Sequence, residues 1–335
     1  MRTGKHSQPP VPTPTQRKQP RMRDRKLAPR PFGKYELLHS LGTNGIAEVW
    51  LARLSDGSPF ARNLALKLFA THLSRDSEFV HALEQEALSA ARLNHPNIAL
   101  IQDFGQTDGT CYLATEYVHG GALSQVLHSA EGVGRWVPRH LAFRIAASVC
   151  EGLYHAHTRQ DGAGQPLGVV HRDICPENIL ISREGTVKLV DFGISRALSR
   201  STSDAAAIFS RFAYMAPEQA AGQSLDHRTD VFSLGLVLYE LLTGVQPFKR
   251  GSELATLQAA LECQLAPPSK VADVPPELDD VVMGALARSP ANRYRDARQF
   301  LQQLEQVIVG QGWVAGSLQL SDMMEELYPE ALTQG

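Results

Sequence analysis

The feature that most constrains this chain is a change of periodicity at Gly120-Gly121. Before it, Tyr35–Leu41, Ala47–Arg53, Asn63–Phe69, Ile98–Phe104 and Cys111–Tyr117 read as short strands, punctuated by Gly, Asn, Asp and Ser turns. One helix interrupts them, Ser77–Leu93, with Phe79, Leu83, Glu86, Ala87 and Ala90 on one face at 3.6-residue spacing. After the glycine pair the pattern turns helical: Leu141–His157, Leu254–Leu261, Leu278–Ala287 and Ala297–Val309. Val231–Leu242 is apolar on nearly every face, the mark of a helix inside a large core. Strands first and helices afterwards exclude a continuously alternating layer and call for an α+β chain. The expectation is two lobes, a small sheet-rich one and a larger helical one. A connector near Val118–Gly121 joins them, and ligands favour the cleft between such lobes.

One stretch of the helical half carries the chemistry. Val169–Gly193 reads VVHRDICPENILISREGTVKLVDFG. Its apolar runs Ile179–Ile181 and Val187–Val190, broken at Arg183-Glu184-Gly185, predict a hairpin. That hairpin would bring Asn178 and Asp191 to one end of a small sheet. Two oxygen ligands there suit Mg²⁺, a hard cation that shares its shell with phosphate oxygens. A second carboxylate, Asp173, remains to handle a proton. In the other half, Lys67 sits among apolar strand residues, where a cation is costly unless paired. Glu86, a charge on the apolar stripe of its helix, has the complementary need.

Charge is unevenly spread. Residues 1–30 hold nine of the 33 Lys/Arg but one of the 35 acidic residues, so a net charge of −2 divides into a basic arm and an acidic body. Six prolines and few large apolar residues keep that arm from burying enough surface to offset its ordering entropy. It reads either as a solvated extension or as a basic arm for an acidic partner, nucleic acid included. The four cysteines show no CxxC pairing, which argues against a metal site or a disulfide framework and fits a reducing compartment. With no apolar signal segment and no span of membrane length, a cytoplasmic location is expected.

These motifs together resemble those of the bacterial, eukaryotic-like Ser/Thr protein kinases. His171-Arg172-Asp173 with Asn178 matches that family's catalytic loop, and Asp191-Phe192-Gly193 its metal-binding motif 18 residues further on. The resemblance implies a bilobal protein-kinase fold, with a disordered tail over 1–34, the domain over 35–309 (lobes 35–118 and 119–309) and a C-terminal tail over 310–335. It implies Mg²⁺ and ATP as cofactors and proteins as substrates, phosphorylated on Ser or Thr. Asp173 would accept the hydroxyl proton, Asn178 and Asp191 would hold metal, and Lys67 paired with Glu86 would position the α- and β-phosphates. Leu41, Gly42, Asn44, Gly45 and Val49 fall in the phosphate-covering loop. Adenine would meet the backbone of Glu116 and Val118 beside the gatekeeper Thr115, between Val49, Ala65 and Leu180. Ala216-Pro217-Glu218 closes the activation segment, with Arg293 as partner of Glu218, and Asp230 would anchor the catalytic-loop backbone.

Three departures stand out. Asn44 and Ala47 replace two glycines of the phosphate loop. Cys175 stands where the family has a lysine, either as small filler or as a reactive thiol. Ser210-Arg211 stands where it has Gly-Thr. Arg211 either returns the lost cation to the transferring phosphoryl group, which makes it a candidate catalytic residue, or contacts substrate, or is merely exposed. A pseudokinase, binding nucleotide as a scaffold, is the alternative reading. Phosphorylation within Ser199–Ser203 would let Arg172 order the segment. Near the C-terminus, Leu320, Met323, Met324 and Leu327 form an amphipathic pattern suited to docking on the large lobe or on a partner, docking within the chain being the expectation.

Overall fold

The computed structural model describes residues 29–43, 45–55, 57, 62–198 and 212–328. Two lobes are present, as the change of periodicity requires. The small lobe is a six-stranded antiparallel sheet in the order β1-β2-β3-β4-β6-β5. Its strands are β1 (Arg30–Phe32), β2 (Tyr35–Thr43), β3 (Ala47–Leu54), β4 (Leu64–Phe69), β5 (Ile101–Thr107) and β6 (Thr110–Glu116). β1 corrects the sequence reading, which left residues 1–34 without structure: Arg30 pairs with Leu37 and Phe32 with Tyr35 across the sheet edge. Three residues show no periodicity of their own; the partner strand supplies the order.

Two helices pack on this sheet, α1 (Thr71–Arg75) and α2 (Ser77–Ala90). α2 starts where Asp76 accepts hydrogen bonds from the N–H groups of Glu78 and Phe79, at 3.0 and 3.2 Å. It buries Phe79, Ala82, Leu83, Ala87 and Ala90.

After the connector, β7 (Gly120–Ala122) joins β8 (Ile179–Ser182) and β9 (Val187–Leu189) in a second, three-stranded sheet. The expected hairpin is therefore present, with Ile179 opposite Leu189 and Ile181 opposite Val187. α3 (Leu123–Gly132) and α4 (Arg139–Thr158) precede the catalytic loop, and α5 (Ile194–Leu198) follows Gly193. α6 (Pro217–Ala220), α7 (Arg228–Thr243), α8 (Glu253–Glu262), α9 (Asp279–Ala285) and α10 (Ala297–Gly310) complete the large lobe. α7 is buried throughout Thr229–Leu242 and stops at Gly244, whose φ of 73° is open to glycine. α11 (Ser317–Leu327) folds back onto α3 and β8, so the amphipathic tail docks within its own chain.

Candidate active site

The cleft is assembled from loops held by groups deep in the large lobe. Arg172 and Asp191 both adopt left-handed backbone, at φ 67° and 68°. Such non-glycine conformations cost about 1–3 kcal/mol each and persist only where surroundings impose them. For the catalytic loop the constraint is Asp230, fully buried at the start of α7. One of its carboxylate oxygens accepts the Arg172 N–H at 2.7 Å; the other accepts the His171 N–H and His157 Nε2–H, each at 2.8 Å. Burial pushes this carboxyl up, but His157 and His171, with the Arg172 N–H, outweigh burial and hold it below the usual range. The Gln219 side chain adds a hydrogen bond to the Arg172 carbonyl at 2.9 Å.

Asp173 is buried and oriented by Asn178, whose Nδ2 donates to its carbonyl and to Oδ2, both at 2.8 Å. With Nδ2 so committed, the Asn178 Oδ1 is turned to the role a hard cation would use. Across the hairpin, Val190 N–H donates to the Asn178 carbonyl at 3.1 Å, which places Asp191 beside it. The His171 ring bridges both loops: Nε2 donates to the Val190 carbonyl at 2.8 Å, and Phe192 packs edge-on, with centroids 4.4 Å apart. One amide oxygen and one carboxylate suit Mg²⁺, which keeps phosphate and water in the rest of its shell. The donor set fits.

On the small-lobe side the expected Lys67–Glu86 pair is replaced by two others. Lys67 forms an ion pair with Asp191. Glu86 pairs instead with Arg196 of α5, at 2.8 Å. The reason lies in where α5 sits: Ile194, Ala197 and Leu198 are buried in the same apolar cluster as Phe69, Phe79, Leu83 and Ala87. The short helix thus stands as a wedge between α2 and the Asp191-Phe192-Gly193 loop. Gly193 permits the approach, because a Cβ there would lie 2.5 Å from the Glu86 Cβ, and its φ is 79°. Ile46, just before β3, is buried in that cluster too.

The residues expected to face nucleotide line the cleft. Val49 on β3, Ala65 on β4 and Leu180 on β8 are each half-buried, on the two sides of the cleft. Thr115 donates to the Ala65 carbonyl at 3.4 Å, and Lys188 pairs with Glu116 at 3.0 Å. Leu41 and Gly42 end β2, where the β2–β3 register shifts, and Gly42 and Gly45 have positive φ (152° and 79°). Asn44, Ser199–Ser203 and Ser210-Arg211 lie outside the described residues. Cys175 is buried in the large-lobe core, the environment of a filler side chain.

Below the site, Glu218 and Arg293 form the expected pair, with two parallel hydrogen bonds of 2.6 and 2.7 Å. Arg293 also lies over the Phe232 ring, 4.5 Å from its centroid. Arg196, His157 and Gln219 were absent from the sequence-based set. Only Arg196 had a local signal, as the polar position beside Ile194, Ala197 and Leu198.

Residues 35–304 match the model of the protein kinase domain. The chain belongs to the protein kinase family. It is 41% identical over 278 residues to the tyrosine-protein kinase MasK of Myxococcus xanthus, covering 82% of this chain and 43% of MasK. It is 40% identical over 286 residues to the serine/threonine-protein kinase PknB of Mycolicibacterium smegmatis, covering 83% and 43%. The chain therefore spans less than half the length of these curated relatives. The crystal structure of the Mycobacterium tuberculosis PknI kinase domain aligns with a TM-score of 0.64 at 28% identity, covering 84% of this kinase and 98% of that chain.

Proposed function

We propose that this kinase transfers the γ-phosphoryl group of Mg-ATP to Ser or Thr hydroxyls of protein substrates. The observation that carries the reading is the convergence of Asp173, Asn178, Asp191 and Lys67 at one end of the β8–β9 hairpin. Asn178 fixes the plane of the Asp173 carboxylate, which takes the hydroxyl proton as that oxygen attacks the γ-phosphorus and the bond to the β–γ bridging oxygen breaks. Asn178 and Asp191 are the residues that would hold Mg²⁺, which would supply positive charge to offset that of the phosphates. Lys67, on the same face of β4 as the cleft-lining Ala65, serves the α- and β-phosphates once Glu86 exchanges Arg196 for it. The wedge position of α5 is then the unarmed state of the enzyme.

The Ser/Thr assignment follows the PknB relatives and the catalytic-loop resemblance; the name of MasK makes tyrosine the outcome to test against. Incubation of wild type and Asp173→Asn with labelled ATP and Mg²⁺, followed by phosphoamino-acid analysis, decides both points. Labelled Ser or Thr in wild type only is expected. Equal labelling of both proteins would overturn the mechanism, and bound nucleotide without transfer would make this a pseudokinase. Arg211→Ala should lower kcat far more than KM for ATP if Arg211 supplies the charge that Cys175 lacks. Among the described residues no helix is long and apolar enough to cross a membrane.

A further inference from the structure

Residues 311–328 lie beyond the matched domain, yet they pack on the β7–β8–β9 sheet, which bears Leu180 of the cleft. After α10 the chain turns at Gly312, and Trp313 packs edge-on to Phe143 of α4, with centroids 5.4 Å apart. α11 then places Leu320, Met323, Met324 and Leu327 in the large-lobe core, and its end delivers the buried Tyr328.

Two glycines receive this segment. At Gly185, in the β8–β9 turn, a Cβ would lie 1.9 Å from the Ser317 carbonyl oxygen, although its φ of 78° calls for glycine in any case. Gly121 is the more telling one. Its φ is not positive, and the nearest atoms a Cβ would meet all belong to the Tyr328 ring, with Cε1 at 2.4 Å. A central strand position that any residue could adopt is thus cleared for that ring.

Gly121 sits in β7, directly after the connector, and the next residue, Ala122, pairs with Leu180 of β8. The same segment reaches the other side of the connector. Ser321 Oγ donates to the Arg183 carbonyl at 2.7 Å, and the Arg183 N–H donates to the His119 carbonyl at 2.7 Å. The tail therefore grips both the strand that leaves the connector and the strand that bears Leu180.

We propose that the C-terminal segment, through Tyr328 seated on Gly121, positions the connector and Leu180 for nucleotide binding. The inference rests on the reading of those residues as the adenine site. Tyr328 is a positioning residue that acts through β7. Tyr328→Ala should weaken binding of a fluorescent ATP analogue, and raise KM for ATP, by about fivefold to tenfold, with kcat at saturating ATP within about twofold of wild type. Tyr328→Phe keeps the ring over Gly121 and should restore most of the affinity. Gly121→Ala displaces the ring and should weaken binding similarly, but add less than about twofold in the Tyr328→Ala background, where the clash is gone.

All measurements belong well below each variant's melting temperature. Variants that melt earlier but bind nucleotide as wild type does would overturn the proposal, since a merely structural tail moves Tm alone. Additive effects of Gly121→Ala and Tyr328→Ala would overturn it as well. A wild-type protein that binds no nucleotide would overturn the adenine site itself, and the positioning role with it.

Discussion

Release of the α5 wedge should be governed by its apolar side chains more than by its ion pair. The Arg196 side chain is 40% exposed, so its pair with Glu86 is screened by solvent and contributes about 0.5–1 kcal/mol. Leu198 is 5% exposed inside the small-lobe cluster. Truncating a buried leucine to alanine costs about 2–5 kcal/mol; with a solvated leucine in the released state, the lower end applies. At about 1.4 kcal/mol per factor of ten, Leu198→Ala should shift the seated-to-released balance by roughly 30-fold, and Arg196→Ala by about twofold to fivefold. The assay is the initial rate of phosphoryl transfer by unphosphorylated protein, with hydrogen exchange of the α5 amides measured in parallel. Leu198→Ala should raise the initial rate more than Arg196→Ala and speed exchange across 194–198. A larger activation by Arg196→Ala would show that the ion pair is the latch. Slower turnover by Leu198→Ala with unchanged exchange would refute the wedge.

Two further substitutions probe the supports of the catalytic loop. Asp230→Asn offers one acceptor oxygen where two are in use, so at least one buried N–H of His171 or Arg172 loses its partner, at about 1–3 kcal/mol. A lower Tm and a kcat reduced more than KM for ATP are expected, because the His171-Arg172 backbone is then held less firmly in its strained conformation. For Glu218, burial raises the pKa, but the Arg293 hydrogen bonds and charge outweigh it and hold the carboxyl below its ordinary 4.5. Its stabilising contribution is therefore complete above that value and lost as pH falls through the lower folded value. Glu218→Gln should cost about 3–5 kcal/mol near neutral pH, because Arg293 stays buried with half its partner. Melting curves of the two proteins should converge as acidification proceeds below the ordinary carboxyl value of 4.5 and through the lower folded one; a gap that is constant with pH would contradict the pairing.

Much of the site was readable because its residues come in short motifs whose spacing is set by a single hairpin. Asn178 and Asp191 are brought together by the apolar runs Ile179–Ile181 and Val187–Val190 and the turn between them, a local property. Glu218 and Arg293, 75 residues apart, were paired through family resemblance, and no local feature would have joined them. β1 was missed because three residues carry no period and the composition before them argues against order. The partner of Glu86 was misassigned for a different reason. Helical spacing placed Glu86 on a buried face and so demanded a cation, but two were available, Lys67 and Arg196.

The sequence by itself determined the two lobes, the hairpin and which polar side chains meet at its end. Periodicity and motif spacing act over a few residues, and the backbone geometry of helix and strand carries them into space. Only the tertiary structure decided which cation meets Glu86, that Asp230 holds Arg172 in a strained conformation, and that Gly121 is small for the sake of Tyr328. Each of these depends on groups distant in the chain competing for one buried place, and burial makes that competition decisive: an unpaired charge or an overlapping ring cannot be accommodated there.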